Sequence, residues 1–190
     1  MVQNLFFSTG YTVVMHFMKP ESVTAQFHLR EGDHVADFGA GSGFFSFEMA
    51  KAVGGSGRVY ALEIQKSLAE TIRLEARKRR VNNIEIIWGD LESQKGVRLG
   101  AHSLDLGLMS NTLFQVQNKE HALALVASLI KPDVKFILIE WADSFGGVGP
   151  QSSDIIPEMK ARALCEGAGF VLERSFEAGA HHYGLAFRRT

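Results

Sequence analysis

The stretch Val35-Ala-Asp-Phe-Gly-Ala-Gly-Ser-Gly-Phe-Phe45 decides the fold of this chain. A short apolar run ends in an acid, Asp37, and three glycines follow at alternate positions, 39, 41 and 43. The apolar residues that come next have helical spacing. The stretch is therefore predicted to be a strand, a tight glycine turn and a helix. Such a turn lets a ligand approach bare backbone near the N–H groups of the helix N-terminus.

Composition limits the classes to which the protein can belong. A chain of 190 residues is long enough for one α/β domain with a sizeable core. The formal net charge of −1 provides no global field that would attract nucleic acid or an anionic membrane. The single cysteine, Cys165, excludes an intrachain disulfide. No signal peptide is recognised, and no apolar stretch reaches the ~18 residues that a membrane span needs. We therefore expect a cytoplasmic protein.

Buried-type strands alternate with amphipathic helices along the chain. Strands are predicted at 34–38, 58–62, 84–88, 103–109, 134–140, 170–176 and 182–188, and helices at 43–53, 65–80, 119–130 and 157–166. This order predicts an α/β fold, a Rossmann-like three-layer α/β/α sandwich around a mostly parallel seven-stranded sheet. Only a short turn separates the last two strands, so we expect a C-terminal hairpin that makes one strand antiparallel.

Two segments outside this pattern are candidates for facing a substrate. Residues 1–29 are rich in apolar and aromatic side chains, and they either pack under the domain or form a lid over a pocket. Residues 30–190 form the domain itself. The glycine-rich loop 143–150 follows the fifth strand and is a candidate gate. A lid and gate of this composition predict a small, apolar or aromatic substrate.

The ends of the predicted strands carry polar residues that suit a nucleoside. Ligands of such sheets bind beyond the carboxyl ends of the strands. Glu63 ends the second strand, where its carboxylate can accept hydrogen bonds from both ribose hydroxyls. Asp90 follows the third strand and can accept one from the amine of adenine, with Ile64 and Leu91 on the two faces of the ring. The G-x-G-x-G spacing differs from the G-x-G-x-x-G of dinucleotide sites, and Asp37 suits an ammonium group. The pattern predicts an adenosine attached to an amino acid.

At these positions the chain resembles the class I S-adenosylmethionine-dependent methyltransferases. Asp37–Gly43 is similar to the family's first motif, D-x-G-x-G-x-G, residues 60–63 to its ribose motif, and residues 88–90 to its adenine motif. Ile130-Lys-Pro132 resembles the segment before the fifth strand, although Asp133-Val134 replaces the usual glycine pair. The resemblance covers residues 30–190 and is closest to small-molecule enzymes of the quinone-biosynthesis-like type.

The resemblance implies a cofactor, a reaction and a set of site residues. The cofactor is S-adenosyl-L-methionine, and the reaction is in-line transfer of its methyl group to a small-molecule nucleophile. The implied cofactor-binding residues are Asp37, Gly39, Ala40, Gly41, Gly43, Glu63, Ile64, Gly89, Asp90, Leu91, Ser110 and Asn111. A general base is needed only if the acceptor carries a proton at neutral pH. The candidate catalytic residues are Asn111, Glu140, His181 and His182, with His16 as a further candidate base.

Other interpretations of these residues stay open. Asp90 also suits a turn cap, Asn111 a helix cap, and His181-His182 an ordinary histidine pair. No metal site is predicted, because carboxylates do not cluster at the ends of the fourth and fifth strands. The expected partner is a small molecule, not nucleic acid, and the protein is expected to be a monomer or homodimer. The alternative functions are a methyltransferase acting on RNA or protein, and a non-catalytic S-adenosylmethionine-binding module.

Overall fold

A computed structural model of the protein describes residues 18–93, 96–144 and 149–190. In this part of the chain, seven strands form one sheet. They are β1 (His34–Phe38), β2 (Arg58–Glu63), β3 (Ile84–Trp88), β4 (Leu104–Ser110), β5 (Ile130–Trp141), β6 (Phe170–Gly179) and β7 (His182–Arg189). The helices are α1 (Pro20–Thr24), α2 (Phe44–Val53), α3 (Lys66–Arg79), α4 (Lys119–Leu129) and α5 (Glu158–Gly167), with 3₁₀ turns at Ala25–Phe27 and Leu113–Gln115.

The strand order is β3-β2-β1-β4-β5-β7-β6. Strands β1 to β5 pair in parallel, whereas β7 runs antiparallel to both of its neighbours, β5 and β6. The predicted α/β architecture with an antiparallel C-terminal hairpin is confirmed. The chain moves outward from β1 to β3 and then returns to place β4 beside β1. This reversal opens a crevice between the carboxyl ends of β1 and β4, where ligands of such sheets bind.

Helices cover both faces of the sheet, and the core has two parts. Helices α1, α2 and α3 bury Val23, Met49 and Ile72 against one face. Helices α4 and α5 bury Leu123 and Cys165 against the other. Successive side chains of β5 alternate between these two layers, because a strand has a period of two. Residues 137 and 139 face the α1–α3 side, and residues 136 and 138 face the α4–α5 side.

The predicted start of the fifth strand is wrong. The segment 131–133 was expected to be a turn between a helix ending at 130 and a strand beginning at 134. In the structure β5 starts at Ile130, directly after α4, because Ile130 is fully buried and pairs with Leu104. The register then shifts, since the next pair is Leu106 with Lys135. Asp133 absorbs this irregularity with a φ of 61°.

The N-terminal segment can be described only in part. Residues 1–17, which include the candidate base His16, lie outside the described residues, and so do residues 145–148 of the predicted gate. From Pro20 onward the chain packs on the domain, and the ring centroids of Phe27 and Phe45 are 6.1 Å apart. Within the described ranges, no helix is long and apolar enough to cross a membrane.

Candidate functional site

The glycine turn between β1 and α2 lies against the ends of β2 and β4. All three glycines have a positive φ, 83° at Gly39, 57° at Gly41 and 84° at Gly43. L-residues with side chains rarely adopt this conformation. At Gly39 there is also no space, because a Cβ would lie 2.2 Å from Oγ1 of Thr112. The turn after β4 therefore contacts the glycine turn at the position where only glycine is accommodated.

Four amides of the glycine turn are used within the fold. Those of Gly39 and Ala40 donate to the carbonyl oxygen of Leu62, at 3.0 and 2.8 Å. The Gly41 amide donates to Oε2 of Glu63 at 2.8 Å. The Gly43 amide donates to the Ala40 carbonyl oxygen at 2.8 Å. Because these amides already have partners, the neighbouring carboxylates contribute more than the amides to the kind of ligand that the turn can bind.

Two buried carboxyl groups flank the turn. Asp37 is 2% exposed and accepts a hydrogen bond of 2.6 Å from the hydroxyl of Ser46. Burial raises the pKa of Asp37 to about 6, against the lowering effect of Ser46, and the nearby charge of Glu63 raises it further. Glu63 is also buried, and its Oε1 accepts from the Gln65 amide at 2.8 Å. Two acids this close together favour a ligand that carries positive charge.

The predicted adenine residues lie together at the ends of β2 and β3. The side chain of Ile64 is 58% exposed, and Leu91 is buried. Asp90 accepts a hydrogen bond from the Glu92 amide at Oδ1, at 2.8 Å, so it also caps its own turn. The Gly89 amide donates to the carbonyl oxygen of Glu63, which joins the two strand ends. The predicted adenine residues are thus connected to the glycine turn through Glu63, whose Oε2 accepts from the Gly41 amide.

A second group of residues lies across the crevice, where β4 and β5 end and β7 begins. Asn111 has a φ of 52° and donates from Nδ2 to Nε2 of His182, at 3.1 Å. The rings of His182 and Trp141 are 4.1 Å apart between centroids. His182 is 6% exposed, and burial lowers its pKa to about 4, so the imidazole is neutral at pH 7. Because Nε2 accepts from Asn111, the proton of the neutral ring is on Nδ1.

Two polar atoms of this pair have no hydrogen-bond partner among the described residues. They are Oδ1 of Asn111 and Nδ1 of His182, and both are buried. Leaving a buried polar atom unsatisfied costs roughly 1–3 kcal/mol. The pair therefore offers one acceptor and one donor to a bound molecule, next to the face of an indole ring.

The other two candidate catalytic residues lie elsewhere. Glu140 pairs in register with Tyr183 and faces the α4–α5 side of the sheet, whereas Trp141 and His182 face the α1–α3 side. Glu140 is 1% exposed, and burial raises its pKa to about 7. His181, at the turn between β6 and β7, forms a 2.6 Å contact from Nδ1 to Oδ1 of Asp143. The structure therefore brings the side chains of Asn111 and His182 together, whereas the carboxyl group of Glu140 lies on the other face of the sheet.

Sequence reasoning missed three residues that shape the site: Ser46, Thr112 and Trp141. Ser46 lies nine positions after Asp37, and only the helical phase of α2 would have pointed to it. Trp141 was detectable, because it is an aromatic residue at a strand end.

In the part of the chain that the structure describes, no group of three or more His, Cys, Asp or Glu residues could hold a metal ion.

Comparisons with known proteins point to one family. The family model of a methyltransferase domain matches residues 29–165. A ubiquinone/menaquinone biosynthesis C-methyltransferase from Francisella tularensis subsp. novicida is 26% identical over 151 residues, which are 79% of this chain and 58% of the relative. A protein-L-isoaspartate O-methyltransferase from Ignicoccus hospitalis is 40% identical over 81 residues, 43% of this chain and 38% of the relative. The chain thus spans well under two thirds of the length of these curated relatives.

Solved structures share the whole fold. A SAM-dependent methyltransferase from Aquifex aeolicus superposes with a TM-score of 0.84 at 25% identity, covering 92% of this chain and 91% of the other. A type 11 methyltransferase from Sulfolobus solfataricus, described as putative, gives a TM-score of 0.72 at 22% identity over 92% and 94% of the two chains. The second likeness concerns the fold alone.

Proposed function

We propose a function from the premise that this chain belongs to the methyltransferase-domain family, and within it to the class I enzymes that use S-adenosylmethionine. The expected fold, family and cofactor agree with that membership. We propose that the protein moves a methyl group in line from this cofactor to a small, apolar or aromatic acceptor. We place the reaction in the cytoplasm, in a monomer or homodimer, with no nucleic acid as partner.

The observation that carries the proposal is the pair of buried carboxyl groups beside the glycine turn. Asp37 is buried and lies next to a second acid, Glu63. A cationic ligand would therefore stabilise the ionised form of both carboxyl groups. S-adenosylmethionine carries an ammonium and a sulfonium, and it supplies a methyl group on an excellent leaving group.

Each part of the cofactor has proposed ligands in this chain. Asp37 and the turn from Gly39 to Gly43 hold the methionine part, and Glu63 holds the ribose hydroxyls. Asp90 binds the adenine amine, while Ile64 and Leu91 contact the ring. The remaining members of the proposed set line the space between these groups: Ala40, Gly89, Ser110 and Asn111.

The acceptor side is proposed to be the surface formed by Asn111, Trp141 and His182. An indole face suits a planar apolar acceptor. A pKa near 4 makes His182 a weak base, so we assign it orientation of the acceptor rather than removal of a proton. Alignment of acceptor and methyl group supplies up to about 7–11 kcal/mol in favourable cases, which makes orientation the main contribution of these residues.

Calorimetry with S-adenosylmethionine, S-adenosylhomocysteine and NAD tests the cofactor assignment on the wild type and on Glu63→Ala. We expect both sulfur nucleotides to bind the wild type and NAD not to bind. If neither sulfur nucleotide binds, the proposal is wrong. Transfer of a labelled methyl group to phenols, quinols and thiols then identifies the acceptor class.

A protein acceptor is the second candidate, because the Ignicoccus hospitalis relative is named as a protein-L-isoaspartate O-methyltransferase. An isoaspartyl peptide and bulk RNA therefore belong in the same panel of acceptors. Transfer to either one, with none to small molecules, would replace the first candidate. Tight cofactor binding without transfer to any acceptor would favour the non-catalytic module.

We also propose that the N-terminal segment closes over the acceptor as a lid. Its apolar composition suits this role, and the ring of Phe27 packs beside that of Phe45 in the first turn of α2. Removal of residues 1–17 is expected to raise the KM for the acceptor and leave affinity for S-adenosylhomocysteine near that of the full chain. An unchanged KM in a folded truncated protein would assign the segment to packing alone.

A further inference from the structure

Glu140 is a buried acid that the proposed transfer does not use. Its Oε1 accepts hydrogen bonds from two successive backbone amides, those of Thr112 at 3.1 Å and Leu113 at 2.7 Å. Its Oε2 has no partner among the described residues. The ionisable groups that face it are Tyr183 on β7 and Cys165 on α5, and burial raises the pKa of both, so they are neutral at pH 7. The Thr112 and Leu113 amides thus lie within hydrogen-bond distance of the carboxyl group, and the amides of Phe114 and Trp141 also act to lower its pKa.

The turn that donates these hydrogen bonds contacts both halves of the crevice. On the acceptor side, Asn111 adopts its left-handed conformation and reaches His182. On the cofactor side, the hydroxyl of Thr112 lies 3.4 Å from the Gly39 carbonyl oxygen and 3.0 Å from that of Ser110. A displacement of this turn would therefore move the acceptor surface and the glycine turn relative to each other.

We infer that Glu140 is a positioning residue, which holds the turn 111–113 so that Asn111 meets His182 and Thr112 rests on Gly39. Two amides that converge on one oxygen fix the backbone of the turn directly, even though Glu140 faces the opposite side of the sheet. The same placement argues against a role as general base, because Oε1 is engaged and the carboxyl group lies behind the turn. The kinetic consequence rests on the proposed function, whereas the structural consequence does not.

Three variants separate positioning from mere stability. Glu140→Gln keeps a carbonyl oxygen that can accept from both amides, and Glu140→Met removes the acceptor at similar volume. Tyr183→Phe is the matched control, because it removes a buried hydrogen bond to the Ile156 carbonyl oxygen from the register neighbour of Glu140 without touching the turn. All three are compared by urea unfolding, by methyl transfer and by hydrogen exchange of peptides that contain residues 104–116.

We expect Glu140→Met to lose protection of the turn amides and to lower kcat by about 10- to 100-fold, the range that a misplacement near 1 Å produces. Glu140→Gln is expected to keep the protection and to fall by less than about threefold, since its two hydrogen bonds remain. Tyr183→Phe is expected to lose stability while the turn amides stay protected.

Two results would overturn the inference. One is a Glu140→Met variant whose turn amides stay protected. The same conclusion follows if Glu140→Met loses no more kcat than Tyr183→Phe at equal stability. The other is a Gln variant as inactive as the Met variant with its turn still protected, which would make the carboxylate itself a participant. If the wild type transfers no methyl group, the exchange experiment still decides the structural part, and only the proposed function fails.

Discussion

Replacing Glu140 with glutamine should make the protein's stability less sensitive to pH. Burial raises the pKa of Glu140 from 4.5 to about 7 in the folded state. An acid with a raised folded pKa is bound to its proton more tightly in the native protein than in the unfolded chain. The stability that it contributes is fully present below pH 4.5 and is lost as pH rises toward 7.

The magnitude follows from the two pKa values. They differ by about 2.5, and each pKa unit is worth about 1.4 kcal/mol, so the full loss is about 3 kcal/mol. Most of it falls between pH 5 and 8, where we expect the wild type to lose about 2 kcal/mol that Glu140→Gln retains. The contributions of Asp37 and His182 are common to both proteins and cancel in the difference.

Urea unfolding of both proteins at pH 5 and pH 8 measures this difference from the midpoints and slopes. Between pH 5 and pH 8, the free energy of unfolding of Glu140→Gln should rise by about 2 kcal/mol relative to that of the wild type. This holds whatever the difference between the two proteins is at pH 5. A constant difference across that range would mean that Glu140 titrates as an exposed acid does. The assignment of the carboxyl group to a dry position behind the turn would then be refuted.

Other expectations concern the cofactor side and the core. Glu63→Ala should weaken S-adenosylhomocysteine binding about 100-fold by calorimetry, since two hydrogen bonds to a charged group are lost, and an unchanged affinity would remove Glu63 from the site. Gly39→Ala should lower the free energy of unfolding by about 2–4 kcal/mol, whereas Gly55→Ala, whose Cβ meets open space, should not. Affinity for S-adenosylmethionine should rise with pH up to about 6, as Asp37 ionises, and Asp37→Asn should abolish that rise. Cys165 is buried with a raised pKa, so a disulfide reagent should modify it only on unfolding, and rapid native reaction would contradict its placement.

The part of the fold around the glycine turn was predictable because its signals are local. Between Val35 and Phe47 the apolar pattern changes from strand-like to helical across three glycines, and no distant residue is needed to interpret that change. Glu63 was predictable for a related reason, since an acid that ends a buried strand stands out from the apolar run before it. The start of β5 was not, because the pairing of Ile130 with Leu104 is a tertiary contact that overrides the turn signal of Pro132 and Asp133.

The positions of Glu140 and Trp141 depend on a property that the sequence does not encode locally. Residues 136–139 are apolar at every position, because both faces of β5 are covered by helices. Because neither face of β5 is polar, the hydropathy of the sequence does not show which residues point to which face of the sheet. The sequence therefore does not predict the face on which Glu140 lies. Only the packing of α4 and α5 assigns Glu140 to one layer and its neighbour Trp141 to the other. The two adjacent residues thus lie on opposite faces of the sheet, Glu140 behind the turn and Trp141 beside His182. Their distance from the strand end does not distinguish them.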